Sequence, residues 1–147
     1  MVKKMKTRSP LKKSILNQAI AVAMASDAPK KMGAILLDKR NRVIATGVNS
    51  YVKTHPIQHW AAQNAAKIWG DRGLSEKIYV HSETSVIIKA KEDAHTIIVC
   101  RVGGHGGKEL RDARPCRICT YQILNLTTIK HVHYSTPQGF MYEYWGQ

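Results

Sequence analysis

Apolar positions recur along this chain with two different periods, and the switches between them mark out alternating elements. After Ser9-Pro10, the residues Leu11, Ile15, Ala19 and Val22 return at three- or four-residue steps, the spacing of one helix face. A Ser oxygen can accept from free N–H groups and Pro fits a first helical turn, so this pair reads as the helix start, and Ala28-Pro29 as its close. Lys31–Asp38 is rich in Ile and Leu and predicts a strand. Lys39-Arg40-Asn41 makes a turn, and Arg42–Val48 returns as the second strand of a hairpin. In Pro56–Trp69, Ile57, Trp60, Ala61, Asn64, Ala65 and Ile68 share a face, which predicts a second helix ended by Gly70, with Trp60 and Trp69 at core spacing. Ile78–Val80 is a short apolar approach to His81, and Ser82–Lys91 has helical length, with Val86, Ile87 and Ala90 available for burial. Thr96–Cys100 reads as a buried strand, Val102–Lys108 as a glycine-rich loop, and Pro115 to about Leu126 as a helix. Ile129–Tyr134 predicts a further strand, while the aromatic segment Gly139–Trp145 fits no single period.

Strands that alternate with helices after an initial hairpin predict an α/β fold: a three-layer α/β/α sandwich around a mixed central sheet. The 147 residues suit a single domain spanning 1–147, and the chain shows neither internal repeats nor a low-complexity linker. With 44% hydrophobic and 22% charged residues, the chain is not mainly disordered or collagen-like. Its longest unbroken apolar run, Ala19–Ala25, falls well short of the ~20 residues that cross a bilayer, so no membrane partner is expected. The basic stretch before Ile15–Ala25 has the outline of a secretory signal, but Asn17 and Gln18 interrupt the apolar core and the helical spacing suits packing.

Charge changes the picture. The 23 Lys+Arg against 10 Asp+Glu leave a net charge of +13, which concentrates phosphates and other anions around the protein. Lys3, Lys4, Lys6, Arg8, Lys12 and Lys13 all precede the first acid, Asp27, so a basic N-terminal arm is expected at about 1–9, read first as a solubilising tail. The 3 cysteines, Cys100, Cys116 and Cys119, cannot all pair within one chain, which favours metal or catalytic use in a reducing, cytoplasmic setting.

Two short segments carry candidate chemistry: His81-Ser82-Glu83 and Pro115-Cys116-Arg117-Ile118-Cys119, each opening a predicted helix. Two thiolates separated by two residues can share one ion, and an imidazole adds a third donor. Three protein ligands leave one zinc position open for water, the mark of a catalytic rather than a closed structural site. Free N–H groups at the helix start lower the cost of the thiolates, and bound zinc lowers the pKa of its water to about 7. Two residues after His81, Glu83 is placed to move that water's proton instead of ligating the ion.

His-x-Glu followed by Pro-Cys-x-x-Cys resembles the signature of the zinc-dependent cytidine/deoxycytidylate deaminase superfamily. The resemblance extends to the Gly33–Asn49 hairpin with its Gly-Val-Asn ending. Lys53-Thr54-His55-Pro56, Ala113-Arg114-Pro115-Cys116 and Tyr134-Ser135-Thr136 resemble compact deoxycytidylate-deaminase-like members, so it runs from about Met32 to Phe140. It implies His81, Cys116 and Cys119 as zinc ligands, Glu83 as proton shuttle and Asn49 as a substrate contact, with hydrolytic attack at C4 of cytosine and release of ammonia. The resemblance also implies that main-chain groups near Ser82 and Cys116 read the base edge. Three positions depart from the family pattern: Ser82 replaces the usual Ala, Ser85 replaces an Asn, and Asn49-Ser50-Tyr51 replaces Asn-x-Glu.

Other residues carry weaker signals. Arg114 and Arg117 flank the cysteines as candidate phosphate contacts, and His105 sits on the glycine-rich loop as a candidate substrate contact. That loop is not a nucleotide-binding P-loop, because Val102 stands at its first Gly and Glu109 follows Lys108. His55 and His59 read as structural or surface residues, Cys100 as a small buried residue, and His131 and His133 as a solvated pair on one strand face. Tyr142, Tyr144 and Trp145 read as packing or subunit contacts.

The leading expectation is zinc-dependent deamination of a free nucleotide, dCMP to dUMP. A polynucleotide deaminase acting on cytosine or adenine in single-stranded DNA or RNA, including tRNA, is the second reading, using the charge and the terminal aromatics. A non-catalytic zinc-containing nucleic-acid-binding protein is the third, and Glu83 argues against it because a structural site needs no proton shuttle. The family resemblance also implies a homo-oligomer.

Overall fold

The computed structural model describes residues 6–90 and 92–146. Its centre is a hairpin of β2 (Lys31–Leu37) and β3 (Val43–Val48), closed by Asp38, whose carboxylate accepts from the backbone N–H of Arg40 at 2.8 Å and of Arg42 at 3.0 Å. β4 (Thr96–Gly103) runs antiparallel to β2 on one side and parallel to β6 (His131–Thr136) on the other. β7 (Gly139–Tyr144) continues the sheet beyond β6, and β5 (Glu109–Arg111) pairs with the last residues of β4. The sheet is mixed, as expected, and among the described residues it has seven strands, of which β1 (Lys6–Arg8), β5 and β7 were not predicted.

Alternation along the central strands decides which helix covers which face. Ile35 and Leu37 of β2 join Ile98, Cys100 and Val102 of β4 beneath α1 (Lys13–Met24), which lays Ala19 and Ala23 on them. Ala34 and Leu36 point the other way, with Ile97, Val99, Val132 and Tyr134, against α3 (Ser82–Ala90) and α4 (Arg117–Leu126). α2 (Pro56–Trp69) packs outside these through Ala61, Ala62 and Ala65, against Ile118 of α4. The α/β/α layering is therefore the predicted one. Close approach sets the helix positions: a Cβ at Gly33 would lie 2.5 Å from the Ala23 nitrogen, and one at Gly47 would collide with Ser85 of α3.

Several local expectations are corrected. The first helix begins at Lys13, not at Ser9-Pro10: the Ser9 N–H donates to Phe140 C=O at 2.9 Å, continuing the pairing of β1 with β7, and its hydroxyl lies 2.8 Å from Nδ1 of His133. The described part of the basic arm is not a free tail: Lys6–Arg8 form β1, an edge strand on β7, while Lys3, Lys4 and Lys91 lie outside the described residues. The buried face of α2 is Gln58, Ala61, Ala62 and Ala65, which leaves Trp60, Ile68 and Trp69 exposed. His133 is not solvated; it is 3% exposed and packs against Tyr142. Gly139–Tyr144 is a strand, and Trp145 is buried behind it. No helix among the described residues is long and apolar enough to cross a membrane.

Candidate metal centre and substrate cavity

α3 and α4 start side by side, so their first turns deliver the candidate ligands to one point. His81 immediately precedes α3, Cys116 is the N-cap residue of α4, and Cys119 lies in its first turn. Nδ1 of His81 is 3.3 Å from Sγ of Cys119 and 3.5 Å from Sγ of Cys116. All three donor atoms lie within 4.8 Å of one another, and among the described residues they are the one such group. Tetrahedral zinc with its usual bond lengths sets N···S separations of about 3.6 Å, so this donor set fits zinc in both chemistry and spacing. Cys100 is buried apart from the group, and burial pushes its thiol up to about 11.

The charges at the centre are coupled. A hydrogen bond from the Cys119 thiol, with help from His81, brings the Cys116 thiol down to about 4. Cys119 moves the other way, raised by burial and by the neighbouring Cys116 thiolate. Burial alone would lower His81, but its hydrogen bond and charge interaction with Cys116 leave it raised. Glu83 is 3% exposed and its carboxyl is raised, first by burial and then by the Cys116 charge. Ser82 is fully buried and donates to Oε1 of Glu83 at 2.9 Å, so its side chain steadies the carboxylate and does not line the cavity.

A cavity of about 490 Å³ opens on His81, Glu83 and Cys116, walled also by Asn49 and Arg114. Asn49 is largely committed: Oδ1 accepts from Ser26 Oγ at 2.7 Å and Met32 N–H at 3.1 Å, while Nδ2 donates to Lys30 C=O at 2.6 Å. It clamps β2 to β3, and one of its amide hydrogens has no acceptor among the described residues. His105 is exposed on the short helical turn His105–Gly107 and Arg117 packs over Trp69, 3.8 Å from Asp71; neither lines the cavity. A larger cleft of about 840 Å³ lies near Asp38 and Glu92, away from the donor group.

A family model for the cytidine and deoxycytidylate deaminase zinc-binding region matches residues 10–136. The chain belongs to this deaminase family. Among curated proteins, none matches the chain. The family's zinc requirement agrees with the donor group, and its general activity is zinc-dependent cytosine deamination.

Sequence reasoning passed over the polar groups that brace this deaminase centre. Gln58, fully buried on α2, accepts from the His81 N–H at 3.3 Å and from Thr84 Oγ1 at 2.5 Å, and donates to Lys77 C=O at 3.1 Å. Thr84 Oγ1 also lies 3.0 Å from Oε1 of Gln122, whose Nε2 has no partner among the described residues. One hydroxyl proton cannot serve two acceptors, so exchanging O and N of the Gln122 amide gives a consistent chain, Gln122 to Thr84 to Gln58. The only available signal was a Gln among the alanines of a helix face. Glu143 was also missed: it accepts from Arg114 Nε at 2.8 Å and Nη2 at 3.1 Å, from Tyr134 at 2.5 Å and from Trp145 at 3.1 Å.

Proposed function

We propose that the domain hydrolyses the amino group of the cytosine in dCMP, giving dUMP and ammonia. The observation that carries this reading is the cavity wall: His81, Glu83 and Cys116 share it with Lys30, Lys77, Arg101 and Arg114. A cytosine base lodged at the first group leaves its phosphate among the second, and charge-assisted contacts to a phosphate are the strong class of hydrogen bond.

His81, Cys116 and Cys119 would hold the zinc, whose Lewis acidity would make a water nucleophilic at neutral pH. Glu83 would take a proton from the attacking water and deliver it to ring N3, making C4 more electrophilic as the water oxygen bonds to it. It would then carry the proton of the new C4 hydroxyl to the exocyclic nitrogen, so the C4–N4 bond breaks with neutral ammonia leaving and a C4 carbonyl remaining. Ser82 keeps one carboxylate oxygen oriented during the transfer. Asn49 offers its remaining amide hydrogen to the sugar or base.

A second reading, deamination within a single strand, is favoured by exposed Trp60 and Trp69 and by Arg117 stacked on Trp69, a surface suited to unpaired bases. A panel of dCMP, deoxycytidine, adenosine and single-stranded DNA and RNA with zinc-loaded protein decides between them. Conversion of dCMP without a change in the strands supports the nucleotide reading. Activity confined to strands and falling steeply with salt supports the second.

A further inference from the structure

The Arg114–Glu143 pair lies beside the cavity and takes no part in the zinc chemistry. Glu143 is 3% exposed, whereas the Arg114 side chain is 33% exposed and faces the cavity. Nε and Nη2 of Arg114 are occupied by the two carboxylate oxygens, and no partner within the protein is found for Nη1 among the described residues. Tyr134 and Trp145 add two further hydrogen bonds to the same carboxylate, and the Trp145 ring lies 5.6 Å from the guanidinium carbon. The carboxylate end is sealed, and the free edge of the guanidinium is the part left to solvent.

The other cations on the wall are built differently. Among the described residues, no hydrogen bond or ion pair holds the charged end of Lys30, Lys77 or Arg101. A cation already fixed in place loses less side-chain freedom when it binds a ligand, and a guanidinium edge matches phosphate geometry better than an ammonium. A salt bridge that only stabilised the fold would gain little from burial, because desolvation offsets most of the attraction. Aiming one partner at a substrate gives the arrangement a use.

We propose that Arg114 is the phosphate anchor of the site and that Glu143, through its grip on Nε and Nη2, is the positioning residue that aims it. This rests on the nucleotide reading above. The C-terminal strand thereby sets substrate specificity: Glu143 belongs to β7, Tyr134 to β6, and Trp145 follows β7 directly.

The test compares kcat/KM for dCMP and for deoxycytidine, which differ only in the phosphate. Arg114→Gln should lower the dCMP-to-deoxycytidine ratio by about 10–100-fold, chiefly through KM for dCMP, as expected for loss of a charge-assisted phosphate contact. Glu143→Gln keeps Arg114 but loosens its hold, and should lower the same ratio by a smaller factor, about 3–10-fold. A merely structural Glu143 would lower both substrates alike and leave the ratio unchanged, which overturns the positioning role. A second measurement reads binding on the wild-type protein and does not depend on variant activity. The Arg114 Nη–H resonances, assigned by their loss in Arg114→Lys, should shift on addition of dCMP and not of deoxycytidine. No shift with saturating dCMP overturns the anchor. If the protein turns over only polynucleotides yet this shift occurs with dCMP, the anchor stands and the dCMP reading falls.

Discussion

The two faces of the sheet are built for different ends. Beneath α1 the packing is apolar: Ala19, Ala23, Ile35, Leu37, Ile98, Cys100 and Val102 form one cluster, and His133 is the buried ionisable exception in β6. Beneath α3 and α4, and in α2 outside them, the interior holds Gln58, Ser82, Glu83, Thr84 and Gln122, with Glu143 on β7. Buried polar groups cost stability unless each finds a partner, so the first face supplies stability and the second spends it on geometry. The difference teaches that disruption of either face should produce a different kind of defect.

The largest expected effect is chemical and belongs to the second face. Glu83→Gln preserves shape and the acceptor for Ser82 but removes the proton shuttle, so kcat should fall by about 10²–10⁴-fold with zinc content and melting temperature nearly unchanged. Steady-state kinetics beside metal analysis check this, and full residual activity would remove Glu83 from the mechanism. On the first face, Ile98→Ala leaves a cavity at a fully buried position and should cost about 2–5 kcal/mol in urea denaturation. Activity per folded molecule should hold, because Ile98 points away from α3 and α4. A lost metal site in that variant would mean the faces are not separable.

The exception on the first face gives a pH effect. Burial, with the charge of His131 adding, depresses His133 to about 4, so the folded state disfavours its protonation. The unfolded chain takes up that proton near the ordinary pKa of about 6.5, and stability therefore falls as pH drops from about 6.5 toward 4, by about 3 kcal/mol across the window. In His133→Gln the acid-side slope should flatten. An unchanged slope would assign the acid sensitivity to other groups.

The same contrast explains what was legible in the sequence. His81, Glu83, Cys116 and Cys119 were readable because their signal is local: a short spacing at two helix starts. The layers were readable because β2 and β4 are apolar on both faces, while α1 carries a regular stripe. Non-local partnerships left no such trace. Three charged or polar residues, Lys6–Arg8, become a strand only because β7 offers an edge. Arg114 and Glu143 lie 29 residues apart, and nothing in either neighbourhood points to the other. In α2 the expected face of Ile57, Trp60, Ala61, Asn64, Ala65 and Ile68 was half right: Ala61 and Ala65 are buried, but with Gln58 and Ala62 rather than with Trp60 and Ile68, because small side chains permit close packing on α4.

The smallest effect expected concerns Gln58, and it sharpens the comparison most. Its carbonyl oxygen accepts the His81 backbone N–H and the Thr84 hydroxyl, so one amide fixes the approach to α3 and the first turn of α3 together. Gln58→Met keeps most of the volume and removes every hydrogen bond. If the face spends stability on geometry, the loss should show in the metal as well as the fold, because a ligand whose main chain can drift holds its ion less tightly. Outer-shell partners are typically worth 10–100-fold in metal affinity, and a group acting through the backbone belongs at the low end, about tenfold. Competition with a chromophoric chelator measures this directly, without substrate. A melting temperature lowered in the metal-free protein with zinc affinity unchanged would make Gln58 a packing residue like those beneath α1, and the division between the faces would then stop at the ligands themselves.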